Sequence, residues 1–169
     1  MDKSNNQAPG KQVQEDHTSK YRELILSQQT LLLSTVTEQG EPECSYAPYV
    51  RDQHGVFYIY VSELAAHTKN MLQKGCASVL FIRPEKEVKN LFARERVVFN
   101  CVVSEVQNSD ERYDKQLLKM KDKFGETVEL LCSLPDFHLL ALTPLNGKYI
   151  AGFGQAYLID VTSDSVEVK

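Results

Sequence analysis

LLLSTVTEQGEPECSYAPYVRDQHGVFYIYV, residues 31–61, decides the fold. Leu31–Val36 is a short apolar run closed by Glu38-Gln39-Gly40, a turn signal. Glu43–Val50 and Gly55–Val61 read as two further strands joined through Asp52-Gln53-His54-Gly55. Pro48 confines the first of these to an edge or a bulge, because proline has no N–H to give a ladder. Downstream, Leu64, His67, Asn70 and Met71 fall on helical spacing, and Ser62 stands where it would cap the first turn. Cys76–Ile82 is strand-like and stops at Pro84, and Leu91–Val106 is rich in Val and Phe, as an extended strand would be. Tyr113, Leu117, Met120 and Phe124 then trace one helical face that Gly125 ends, with a second short helix around Val128, Leu131 and Leu134. Phe137–Leu142 and Tyr149–Ile159 close the chain as strands. Upstream, Tyr21, Leu24 and Ile25 suggest a short amphipathic helix ending near Gln28, and the polar residues 1–19 read as a flexible tail. Successive strands with short turns are most simply antiparallel, and a long sheet closes to hide its edges. The expectation is one domain over residues 20–169, α+β and mainly β: a small closed antiparallel barrel with peripheral helices.

Composition narrows the function. A chain of 169 residues, 42% hydrophobic and 25% charged, is ordinary for one globular domain. Its net charge of −4 creates no global positive field, so nucleic acid is not an expected partner. No apolar run suits a signal peptide or a membrane span, which predicts a cytoplasmic protein without a membrane partner. Cys44, Cys76, Cys101 and Cys132 form no CxxC pair and read as small buried hydrophobes of a reducing compartment. No metal ligand is assigned.

The sequence contains no GxSxG, HExxH or P-loop pattern. Gly152-Phe153-Gly154 precedes a strand rather than a helix, so it reads as a bulge or a close approach and not as a dinucleotide fingerprint. Three clusters remain. His67 and Lys69 lie near a helix start, where amide donors and the helix dipole favour anions. Arg94 and Arg96, two apart on the expected strand, project from one face and repel unless they share an anion. Asp136 and His138 share a strand face and are placed to meet a common partner. Aromatics near these clusters, Tyr46 among them, offer a flat apolar wall. A planar ligand with phosphate or carboxylate arms fits that description.

Ser45-Tyr46-Ala47-Pro48-Tyr49-Val50, Ala66-His67-Thr68-Lys69-Asn70, Leu91-Phe92-Ala93-Arg94-Glu95-Arg96, Asp136-Phe137 and Gly152-Phe153-Gly154-Gln155-Ala156-Tyr157 occur in this order. Together they resemble the heme-utilisation branch (HugZ/HutZ type) of the FMN-binding split-barrel superfamily, whose founding enzyme is pyridoxamine 5′-phosphate oxidase. The resemblance covers roughly residues 20–160. It implies a six-stranded split barrel, a homodimer, and a cofactor cleft between protomers; Asp136 and Arg96 match the branch, and with the clusters above the expected cofactor-binding residues are His67, Lys69, Asn70, Arg94, Arg96, Asp136 and Tyr46. In heme-degrading members of the branch an axial histidine follows the GFGQAY strand and pairs with an aspartate matching Asp136. The residues after Tyr157, LIDVTSDSVEVK, hold no histidine.

The leading expectation is therefore FMN, in a flavoprotein oxidoreductase acting on a small substrate. Heme is the alternative cofactor, in a heme-binding or heme-degrading oxygenase. A third possibility is a module that binds a planar cofactor without turning it over.

Overall fold

A computed structural model describes residues 9–167. Its elements run α1 (Pro9–Leu26), β1 (Thr30–Val36), β2 (Pro42–Pro48), β3 (Val50–Arg51), β4 (Phe57–Ser62), α2 (Ala66–Lys74), β5 (Cys76–Ile82), β6 (Arg96–Glu105), α3 (Glu111–Phe124), α4 (Glu126–Cys132), β7 (Phe137–Gly152), β8 (Gln155–Asp160) and β9 (Ser165–Glu167). The sheet follows the order β2-β1-β5-β6-β7-β4-β3, with β8 on β7 and β9 on β8. The ladders of β1 with β2 and β5, of β4 with β3 and β7, and of β8 with β7 and β9 are antiparallel. The architecture is α+β, mainly β, as expected.

The strand count differs: nine among the described residues, not six. Part of the excess arises at Pro48, where β2 ends. Tyr49 N–H turns to Gln29 O, and pairing resumes with β4 at Val50. The strands expected at Phe137–Leu142 and Tyr149–Ile159 are instead the 16-residue β7, which runs on to Gly152, and β8, Gln155–Asp160. Pro144 survives inside β7 because β4 pairs with it only as far as Leu142 and its pairing with β8 begins at Gly147, so this edge needs no N–H at residue 144. Leu91–Val106 is not one strand either. Leu91–Ala93 forms a 3-10 turn in which the Asn90 side chain accepts from Phe92 N–H, and β6 starts only at Arg96.

Two compact units make up the chain. The larger comprises Gln29–Leu80 and Phe99–Leu145. Its central strands are buried on both faces, which is why β4 and β7 read as nearly continuous apolar runs. Leu31, Leu33, Phe57, Ile59, Val79, Phe99, Leu140 and Leu142 are buried, with Phe57 between the rings of Tyr49 and Phe99. Alternate residues Tyr58, Leu139 and Ala141 pack with Val50 and Val106 under Leu117, Met120 and Val128 of α3 and α4. The Asp110 carboxylate caps α3 by accepting from Arg112 N–H, and Gly125 ends it at φ +72°.

The smaller unit comprises the chain up to Gln28, Phe81–Val98, and the chain from Asn146 onward. Here the tail expectation needs correction: α1 begins at Pro9, within the stretch 1–19, while residues 1–8 lie outside the described residues. Polar residues hold it in place. His17 lies 4.3 Å from the Tyr157 ring, and Thr18 Oγ1 accepts from Val166 N–H at 2.9 Å. Tyr21 Oη donates to Asp164 O at 2.5 Å, and Arg22 donates to the same carbonyl at 2.6 Å through Nη2. Asp164 turns that carbonyl outward from a left-handed conformation, φ +51°. Such partners are 140 or so residues away in sequence, and no hydrophobic periodicity signals them.

Candidate functional site

The larger unit gathers Tyr46, His67, Lys69, Asn70 and Asp136; Arg94 and Arg96 belong to the smaller unit. Along β2, Glu43, Ser45 and Ala47 face one side of the sheet and Cys44 and Tyr46 the other, as a strand requires. The first side is covered by α2. Asn70 is buried there and donates to Thr35 Oγ1 at 3.1 Å and Glu43 Oε2 at 2.8 Å, binding the helix to β1 and β2.

His67 lies in the first turn of α2. Burial holds its pKa below the ordinary imidazole value, against the pull of Glu43, so it is neutral at pH 7. Its Nε2 is enclosed and without a hydrogen-bond partner, as are Ser45 Oγ and the Oγ1 of Thr68, a fully buried residue. Buried polar atoms left unsatisfied by the chain mark positions that a ligand or ordered water completes. Around the exposed Lys69, a cavity of about 250 Å³ is lined by Glu63, Thr68, Lys69, Leu72 and Gln73. Lys69 supplies an ammonium group and Leu72 an apolar wall. A second cavity, about 240 Å³, is lined by Pro48, Tyr60, Met120, Phe124, Thr127, Val128 and Leu131, and carries no charged group.

Ser62 does not cap α2, which begins four residues later with no side-chain cap. Its hydroxyl donates to Asp136 Oδ2 at 2.5 Å and accepts from Leu64 N–H at 3.1 Å. Glu63 N–H donates to Asp136 O at 2.8 Å. Asp136 thus fastens the β4–α2 loop. It precedes β7 rather than lying in it, and it meets His138 at Glu63 only through its backbone carbonyl: the Asp136 carboxylate takes Ser62, whereas the His138 ring bonds Glu63 and Glu105.

The arginine pair also differs from expectation. Arg94 follows the 3-10 turn and is not on a strand; its Nε donates to Arg83 O at 2.6 Å and its Nη1 meets Glu85 at 3.2 Å. Arg96 Nη1 donates to Arg94 O at 2.9 Å. The residue between them organises the segment instead. Glu95 receives Arg83 Nε at 2.9 Å and Nη2 at 2.7 Å on Oε2, and the Tyr149 hydroxyl at 2.5 Å on Oε1. Sequence reasoning passed over Glu95 because a carboxylate between two arginines looks satisfied locally, whereas its partners come from β5's end and from β7.

The structure also corrects the cysteine expectation. All four are free, and Cys101 is buried, its thiol pKa pushed up to about 12 by burial. Cys44 and Cys76, however, are exposed, because they occupy outward positions of β2 and β5. Among the described residues no helix is long and apolar enough to cross a membrane.

A family model described as pyridoxamine 5′-phosphate oxidase matches residues 17–151, and the chain belongs to that family. Its fold is accordingly the split-barrel type. Among particular relatives, the chain is 38% identical to the heme oxygenase HutZ of Vibrio cholerae over 138 residues, 82% of this chain and 78% of HutZ. A crystal structure of Vibrio cholerae HutZ, described there as a heme storage protein, superposes with a TM-score of 0.70 at 36% identity, covering 75% of this chain and 88% of that one. Campylobacter jejuni ChuZ gives a TM-score of 0.79 at 29% identity, covering 91% of this chain and 63% of that one.

Proposed function

We propose that this protein binds heme, as cargo or as the substrate of an oxygenase, and that flavin is not its principal ligand. The observation that carries the reading is the 38% identity to HutZ over most of both chains. The donor set supports it. FMN presents a phosphate that calls for clustered cationic or amide donors, yet Arg94 and Arg96 both spend guanidinium hydrogens on groups of their own segment. Heme is an apolar plate with carboxylate arms. The Lys69 cavity offers one ammonium, an apolar wall and the buried Thr68 hydroxyl, which lacks a partner.

In this reading Lys69 would pair with a propionate and Leu72 would pack on the plate, while the neutral His67, two residues before Lys69 on α2, would offer a nitrogen that has no partner within the chain. Asp136, held by Ser62, keeps the loop bearing Glu63 at the cavity wall. Bound iron porphyrin would supply the capacity to bind dioxygen.

The test is to add hemin and FMN separately to purified protein and record absorption spectra after desalting. A saturable, stoichiometric Soret band is the expected result, with little flavin retained. Stoichiometric flavin without a Soret band would reverse the assignment. Lys69→Ala is expected to weaken hemin binding about fivefold, the equivalent of one exposed charge pair of about 1 kcal/mol. Bleaching of the Soret band on addition of a reductant and dioxygen would mark an oxygenase, and a stable band a storage protein.

We further propose a homodimer formed through the outward side of β1 and β2. Leu32 and Tyr46 are cross-strand partners that remain 45% and 64% exposed, and Leu80 lies on the other side of Leu32. Exposed apolar rows of this kind mark interaction surfaces. Light scattering is expected to show a dimer for the wild type and a monomer for Tyr46→Glu. A monomeric wild type, or a variant still dimeric, would discard the assignment.

A further inference from the structure

His138, the second residue of β7, joins two carboxylates in the larger unit. Its Nδ1 lies 2.6 Å from Glu105 Oε1 at the end of β6, and its Nε2 lies 2.8 Å from Glu63 Oε1 in the β4–α2 loop. An ionised carboxylate only accepts hydrogen bonds, and a neutral imidazole carries one N–H. Both contacts are satisfied together only by the imidazolium. The hydrogen bond to Glu105 accordingly raises the His138 pKa, burial opposes it, and Glu63 raises it further.

Glu63 is tied at both ends. Its backbone N–H donates to Asp136 O, the adjoining Ser62 hydroxyl donates to Asp136 Oδ2, and its side chain reaches His138. Glu63 also lines the cavity that holds Lys69. Loop, aspartate and cavity wall therefore form one hydrogen-bonded assembly that His138 closes.

We propose that His138 is a positioning residue: as an imidazolium bridging Glu63 and Glu105, it holds the β4–α2 loop and Asp136 in register at the Lys69 cavity and offsets the negative charge of Glu63. Loss of its proton breaks one of the two bonds and leaves a carboxylate uncompensated at the cavity wall. The other polar and charged groups around it are Asp136 before β7, Lys69 of α2, and Gln107, whose amide donates to Glu105 Oε2 at 3.0 Å. None of these replaces the lost cation between Glu63 and Glu105.

The direction of the pH effect follows from linkage. A histidine whose pKa is raised on folding contributes stability fully below its unfolded value, about 6.5, and loses that contribution as pH rises through the folded value. The loop is thus held below the raised His138 pKa and released above it. An anionic ligand at the cavity is favoured in the same direction. Only the identity of that ligand rests on the heme reading.

The experiment combines three measurements from pH 5.5 to 9. The wild-type His138 ring is titrated by NMR. Hydrogen exchange of the Glu63 and Leu64 amides, corrected for intrinsic pH dependence, is followed in the wild type and in His138→Gln. Hemin affinity is measured in both proteins. His138 is expected to titrate above 6.5. Loop exchange should quicken, and hemin affinity fall, by about fivefold through that pKa in the wild type, the low end of coupling between linked sites. His138→Gln should show the released behaviour at every pH. Titration at or below 6.5, or the same exchange profile in both proteins, would overturn the proposal. Absence of hemin binding at all pH values would remove the heme reading, and ring titration and exchange would still decide the role of His138.

Discussion

Glu95→Ala is expected to destabilise the protein by about 2–4 kcal/mol, although it removes a single surface-looking carboxylate from a run of charged residues. The substitution strands two groups at once. Arg83 is 20% exposed and loses both guanidinium bonds to Oε2, and Tyr149, 1% exposed, loses the acceptor for its hydroxyl. Burial, together with the hydrogen bond to Glu95, keeps that phenol protonated far above ordinary pH, so its O–H remains a donor without an acceptor. An uncompensated buried charge costs about 3–5 kcal/mol, and residual solvent around Arg83, with Glu87 3.9 Å from its Nη1, brings the figure down. Glu95→Gln, which keeps an acceptor oxygen but no charge, should fall between the wild type and the alanine variant. Urea unfolding checks the result through the midpoint at constant m. A shift within about 0.5 kcal/mol of wild type would mean that the Arg83–Glu95–Tyr149 network is solvated and contributes little.

Phe57→Ala should cost about 3–5 kcal/mol, a large share of the roughly 5–15 kcal/mol that holds a domain of this kind. Phe57 is fully buried at the start of β4, its ring 5.8 Å from Tyr49 in an edge-on arrangement and 5.5 Å from Phe99. The Arg51 guanidinium also lies 5.3 Å from its centroid. Truncation leaves a cavity with aromatic walls that cannot collapse, because Tyr49 and Phe99 are anchored in separate parts of the backbone. Phe57→Leu, which restores much of the volume, is expected to cost only about 1–1.5 kcal/mol. Equal loss in the two variants, measured by the same unfolding experiment, would show that ring geometry rather than volume sets the stability here.

Both predictions concern scaffold, and they separate scaffold from site. The motif around Arg94 and Arg96 suggested a receptor for an anion, but its hydrogen bonds hold the chain to itself. Three of the buried atoms with unmet needs lie around α2, at His67, Thr68 and Ser45, while His17 Nδ1 and Gln116 Oε1 are others, on α1 and α3. Function is therefore sought where the chain leaves bonds unmade.

The sequence by itself determined the mainly-β fold class, the strand of Cys76–Ile82, the two helices flanking Gly125 and the family resemblance, because these depend on local periodicity, turn chemistry and motif wording. Period-two and period-3.6 patterns record which side of an element is buried, and they survive in any tertiary context. The length of β7 and the early start of α1 were decided elsewhere. The strand reads as ending at Leu142 until the gap between its two partner strands is known, and residues 1–19 read as a flexible tail until Tyr157 and Val166 are placed beside His17 and Thr18. The site shows the same division. His67, Lys69 and Asp136 were legible as residue types near a helix start and a strand start. Only the tertiary structure made Asn70 a tie between layers, Glu95 the centre of a network, and His138 a bridge between Glu63 and Glu105. Hydrogen bonds between residues 27 to 75 apart leave no periodic trace in a sequence, since each polar side chain looks equally suited to water until the fold supplies its partner.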